Sequence, residues 1–285
     1  MGSVTGLRLL ERRRVARGGA RGRRRFGQEM STRTGVIVFA IEAVLLLVLW
    51  QWLIGSMRLV NPVFLPPPLD TVDGFRSLID EGRLGSILSA SLQAWTIGFV
   101  LAAAIGIGFG LVIGSSVAAD RLLGPLVWPL YATPWLAYAP LSKAWFGFGL
   151  TPVVFIVFIA GVFPILLNTS AGIRTVNRSL VNAGRIFGAN RWQIYRKVLL
   201  PATVPYILAG MRQSAVLTTV ALVVAEMITS GRGVGGMIAY TANQYATEQS
   251  FAGIVIVVVW SVMMSQLIGL VGRRFAPWTT GGKRR

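Results

Sequence analysis

The sequence predicts an all-α membrane protein: six transmembrane helices and, between the fourth and fifth, one long polar loop on the inner side. Three observations carry this. Apolar residues make up 54% of the 285, charged residues only 13%, and the mean hydropathy is +0.64, too apolar for an ordinary soluble domain. The apolar residues gather into runs of about 20, and at 1.5 Å per residue each crosses a ~30 Å hydrocarbon core. The net charge of +18 is gathered too: of 28 cations, ten lie in residues 8–33, one is Arg121, six lie between Arg174 and Lys197, and five lie at or after Arg273. Placing all four groups in the cytoplasm satisfies the positive-inside rule with a single topology. Both ends are then inside, which requires an even number of crossings. The same clustering between apolar runs argues for membrane orientation and against nucleic-acid binding.

The chain divides into an Arg-rich tail (1–34), a six-span domain (35–273, with its long loop at 171–201) and a short basic tail (274–285). The first tail holds Arg12-Arg13-Arg14 and Arg23-Arg24-Arg25 with no apolar face, so disorder beside anionic lipid is expected. No signal peptide is expected, because the first apolar run comes late, is long enough to span, and lacks a convincing cleavage site. Gly35 to Ile54 is the first span, and Glu42 within it should face protein for packing or for function. Arg58 to Gly85 carries Pro66-Pro67-Pro68, Asp70, Asp73, Asp80 and Glu81, which suits an outside loop with a short helix. Ser86 to Gly114 is the second span, where Gly98, Gly106, Gly108, Gly110 and Gly114 let helices approach closely.

Asp120 and Arg121 mark a tight inside turn. Leu122 to Phe148 is the third span, interrupted by Pro125, Pro129, Pro134 and Pro140. Repeated loss of intrahelical hydrogen bonds survives in a membrane only where protein or a water-filled path covers the freed carbonyls. Pro134 and Pro140 are therefore candidates for lining a pathway, with a kinked, packed helix as the alternative. Pro152 to Leu167 is the fourth span. The fifth runs from about Ile207 to Ile228, with Ser214, Thr218 and Thr219 as a polar stripe and Ser214 and Thr218 as further candidates for pathway lining. Arg212 lies near its inner end, where its long stem reaches the headgroups in preference to a role toward solute. Thr229 to Gln249 is an outside loop dipping toward the membrane, and its glycines are no phosphate cradle, since no Gly-Lys-Ser/Thr follows. Phe251 to Val271 is the sixth span.

The loop from Val181 to Pro201 is the most informative stretch. With the residues just upstream it holds Arg174, Arg178, Arg185, Arg191, Arg196 and Lys197 and no acid. Ala183, Ile186, Phe187, Trp192, Ile194, Tyr195, Val198 and Leu199 recur at near-helical spacing, which predicts one or two short amphipathic helices bent at Gly188. Pro201 and Pro205 restart the chain toward the next span.

Ala183, Gly188 five residues on, then Val198 and Leu200-Pro201, resemble the "EAA" loop in the permease subunits of ATP-driven, binding-protein-dependent bacterial importers. Here Asn182-Ala183-Gly184 stands where the family has Glu-Ala-Ala. Leu199 to Gly210 (LLPATVPYILAG), Ala225-Glu226-Met227-Ile228, Gly233 to Tyr240 (GVGGMIAY), Trp145 to Gly149 (WFGFG) and Phe163 to Asn168 (FPILLN) resemble the nitrate, taurine and alkanesulfonate branch over about residues 60–272. The resemblance implies that Asn182, Ala183, Gly184, Phe187, Gly188, Arg191, Trp192, Val198 and Pro201 dock in a cleft of a partner ATPase. It further implies a second permease copy, forming a homodimer, an extracytoplasmic substrate-binding protein, a bacterial inner-membrane location, and a small polar or anionic solute moved by alternating access.

The chain itself should be no enzyme. It has no Walker lysine loop, no His, and no acids at metal-ligand spacing, so ATP and magnesium belong to the partner subunit and no cofactor or metal is expected here. Cys is absent as well, which excludes thiolate sites and disulfides. An ion-coupled carrier would need paired carboxylates within the spans, for which Glu42 and Glu226 are a thin basis. A membrane scaffold with a basic tail would leave the pattern at 181–201 without a purpose.

Overall fold

The computed structural model describes residues 32–275; the expected tails at 1–34 and 274–285 fall almost wholly outside them. The described residues divide into two units, one ending at Met57 and the other beginning at Arg58. In the first, α1 (Thr32–Trp50) runs on through a wide turn at Gln51–Ser56. Its side chains are mostly apolar and exposed, and Glu42, expected to face protein, is exposed among them within this unit.

The second unit begins with α2 (Pro68–Asp80), opened by Pro68 at its first position. Then come α3 (Leu84–Ser115), α4 (Val117–Ala132), α5 (Tyr138–Phe146), α6 (Leu150–Arg174), α7 (Arg178–Ile186), α8 (Arg191–Ile194), α9 (Leu200–Ala225), α10 (Gly233–Asn243) and α11 (Thr247–Phe275). Helices α3, α6, α9 and α11 build the core, where Trp95 and Phe99 stack at 4.6 Å between ring centroids and pack with Ile156, Val157, Leu222 and Ile268. The close approach of α3 to α6 is set by small residues every fourth position. A Cβ at Gly98 would stand 2.6 Å from Val157 Cγ1, at Gly106 2.8 Å from the Val162 carbonyl, and at Gly110 2.7 Å from Thr169 Cβ. Gly108, off this stripe, faces open space.

Among the described residues five helical stretches are long and apolar enough to cross a membrane: 37–56, 84–115, 150–174, 191–230 and 247–272. The expected third span is different. It is two helices, α4 and α5, separated by extended backbone at Thr133 and Pro134 and a short tight turn over Trp135–Ala137. Pro134 lacks the N–H to continue the helix, and Thr133 Oγ1 instead donates to the Pro129 carbonyl at 2.9 Å. The broken pair still runs the length of α6. At its start Arg174 Nη2 donates to Asp120 Oδ1 at 2.6 Å, and at its end Trp145 and Phe146 pack on Phe155.

Three boundaries depart from expectation. The inside turn lies at Ser116, whose side chain caps α4 by accepting from the Ala119 N–H, while Asp120 belongs to the helix. The fourth span extends to Arg174 rather than ending near Leu167. Pro201 and Pro205 do not interrupt the chain. Helix runs from Arg191 to Ser230 because Pro201 falls in the first turn of α9, after the wide turn at Tyr195–Leu199.

Candidate functional site

The polar loop folds into a corner of two helices. Asn177 caps α7, its Oδ1 accepting from the Ser179 N–H at 2.8 Å. The helix ends at Gly188, which takes φ +76°, as glycine readily does, and the Ala189 N–H closes the turn on the Gly184 carbonyl at 2.9 Å. Asn190 then opens α8 with a reciprocal cap: the Gln193 N–H donates to Asn190 Oδ1 at 2.8 Å, and the Asn190 N–H donates to Gln193 Oε1 at 2.9 Å. Through the wide turn at Tyr195–Leu199, α8 is continuous with α9, so the corner is joined to a helix long and apolar enough to cross a membrane.

Buried Ile194 anchors the corner from within. A Cβ at Gly184 would meet its Cγ1 at 3.5 Å, ordinary contact, so Gly184 and half-buried Ala183 are where α7 rests on α8. The outer surface is the reverse of a folded core. Phe187 is 89% exposed, Ile186 83% and Trp192 66%, with the Trp192 and Tyr195 rings stacked at 5.7 Å. Asn182, Arg185, Gly188 and Arg191 share this exposure, whereas Val198 and Pro201 are half-buried where the corner joins α9. Three large apolar side chains thus stand exposed at one corner with two guanidinium groups, the composition that sets interaction surfaces apart from ordinary loops.

The candidates for pathway lining separate into two pairs. Pro134 and Pro140 are exposed. Ser214 and Thr218 are fully buried: Ser214 Oγ donates to the Gly161 carbonyl at 3.0 Å, and Thr218 Oγ1 accepts from Trp95 Nε1 at 3.0 Å, so in this state they join α9 to α6 and α3. Glu226 is likewise enclosed and occupied. Ser91 Oγ donates to its Oε1 at 2.7 Å and the Gly235 N–H to its Oε2 at 2.8 Å, while Ser91 Oγ accepts from the Val234 N–H. This carboxylate caps the start of α10, the helix that packs on α3, α9 and α11. The sequence reading missed the Asn190–Gln193 cap, legible as Asn-x-x-Gln, and the Asp120–Arg174 pair, whose partners lie 54 residues apart.

The pattern that defines the binding-protein-dependent transport system inner membrane component matches residues 104–277, and that range takes in α4 to α11 and the exposed corner. The chain belongs to this family. Among the permease's relatives, an aliphatic sulfonates transport permease protein of Bacillus subtilis is 33% identical over 257 residues, 90% of each chain. A nitrate import permease protein of Leptolyngbya laminosa is 34% identical over 198 residues, 70% of this chain and 71% of the relative. With a taurine transport permease also among the relatives, the permease falls in the nitrate, taurine and sulfonate branch of ABC importer permeases. In fold it resembles an inward-facing MetNI methionine ABC transporter, with a TM-score of 0.57 and 16% identity over 65% of this chain and 93% of the other. It is a multi-pass inner-membrane transport subunit.

Proposed function

We propose that two copies of this permease form the membrane passage of an importer, and that ATPase subunits dock on the corner formed by α7 and α8. ATP and magnesium bind in those subunits. ATP-driven closure pushes the corner, α8 passes the displacement into α9, and the passage alternates between outward and inward openings. A binding protein outside delivers the solute, a small polar or anionic compound of the kind named for the sulfonate and nitrate relatives. Six crossings, with the α4–α5 pair as one crossing in two pieces, put both termini and the corner in the cytoplasm.

The observation that carries this reading is the exposed Ile186, Phe187 and Trp192 at a capped corner continuous with a span. The permease, tagged and purified from its own membrane, should bring with it a nucleotide-binding subunit whose ATPase activity rises when the binding protein is added. Purification of an intact permease with no such subunit would contradict the proposal.

A further inference from the structure

Two carboxamides meet where α6 and α9 pass through the apolar layer. Asn168 Nδ2 donates to Gln213 Oε1 at 3.2 Å and to the Pro164 carbonyl at 2.8 Å. By helical rise, Asn168 stands about 9 Å along the axis from Arg174, and Gln213 about 25 Å from Ser230, so both lie within the hydrocarbon depth. Gln213 is exposed, and so are Tyr206, Val216 and Val220, which share its stripe of α9 at helical spacing, while exposed Arg212 beside them turns its guanidinium to α11, where a Cβ at Gly269 would meet Nη2 at 3.0 Å. A carboxamide turned toward lipid with its hydrogen-bonding capacity unfilled costs several kcal/mol. This stripe therefore faces water or protein.

A cleft beside Asn168 offers hydrogen-bonding groups on an otherwise largely apolar lining. It measures about 360 Å³, lies between α4 and α6, and is also lined by Asp120, Trp128, Ser170 and Arg174. A second cleft of about 340 Å³ between the same helices has only apolar and aromatic lining, including Leu130, Phe158 and Phe163. The α4–α6 gap thus has a polar mouth and an apolar mouth.

The geometry points to the polar cleft and the Asn168–Gln213 pair as a stretch of the solute path that contacts a small polar solute through hydrogen bonds rather than net charge. Arg174 does not make the cleft anion-selective, because Asp120 matches its charge at 2.6 Å. This assignment rests on the importer reading and adds a contact inside the membrane to selection by the binding protein.

The absence of Cys from the chain allows a direct test. Asn168→Cys, Gln213→Cys and, on the same stripe, Val216→Cys would be exposed, in inside-out vesicles and intact cells containing the assembled transporter, to small anionic and cationic methanethiosulfonates. Leu130→Cys and Phe109→Cys, which line the apolar cleft, serve as controls. In at least one of the two preparations, positions 168, 213 and 216 should react about tenfold faster than the controls, as water access requires. The two reagents, each scaled to its rate with free thiol, should agree within about threefold, as a charge-neutral lining requires. Reaction as slow as the controls in both preparations would overturn the path assignment, and a charge preference above tenfold would overturn its hydrogen-bonding character. Labelling is read on the permease itself, whereas the importer reading is tested by its copurifying ATPase, so either can fail without the other.

Discussion

On α7 Asn182 is exposed, as Phe187 and Trp192 are elsewhere on the corner. The contact energy of such a surface concentrates in its large side chains, so Phe187→Ala and Trp192→Ala should each weaken ATPase association by about tenfold or more, and Asn182→Ala by less than about threefold. Titration of the purified ATPase against permease in nanodiscs measures this. The reverse ranking would move the anchor to the head of the motif. Gly184 gives a second residue-level expectation. Its missing methyl has room beside Ile194, so Gly184→Ala should stabilise α7 by about 0.5–1 kcal/mol and preserve transport. A fall in thermal stability would show that the corner needs the space.

Among the elements, the stripe of small residues at every fourth position of α3 has a sharper consequence than its composition. Gly106→Ala puts a methyl against the Val162 carbonyl and Ile165, at an expected cost of about 1–3 kcal/mol in helix packing. Gly108→Ala, two residues away, meets nothing and should gain up to about 1 kcal/mol of helix propensity. Thermal unfolding of the two variants in the same detergent checks the pair, and equal midpoints would contradict the α3–α6 contact. Helix type and approximate span positions were legible because apolar runs of membrane length admit little else, and the bend at Gly188 because a glycine there divides two amphipathic segments. The break at Pro134 was less legible, since four prolines announce disruption without saying which one ends the helix: Pro125 and Pro129 stay inside α4. Nor does local pattern distinguish Ser214, which is packed, from Gln213 beside it, which is exposed; that depends on how α6 lies across α9.

For the whole molecule, charge and connectivity agree. Successive long helices bring Arg121, Arg174 and the corner to one end, and Asp73, Glu81 and Gln244 to the other, provided α4 and α5 together make one return. Single cysteines at 185 and 73 should accordingly be labelled by an impermeant thiol reagent from opposite sides of the membrane: 73 in intact cells, 185 only in inside-out vesicles. Labelling of 185 in intact cells would invert the topology.

The central claim, that this corner transmits ATPase motion to the spans, is tested most directly at Gly188. Among the described residues no non-neighbouring atom lies within 4 Å of a Cβ placed there, and Asp and Asn tolerate the left-handed backbone better than most other residues, so the two substitutions differ mainly in charge. ATP-driven uptake and ATPase retention should be measured together for Gly188→Asp and Gly188→Asn at matched membrane levels. Gly188→Asp should release or uncouple the ATPase and lower uptake by about tenfold or more, and Gly188→Asn, lacking the charge, should lose less. Gly188→Asp that holds its ATPase and transports like the parent would contradict it.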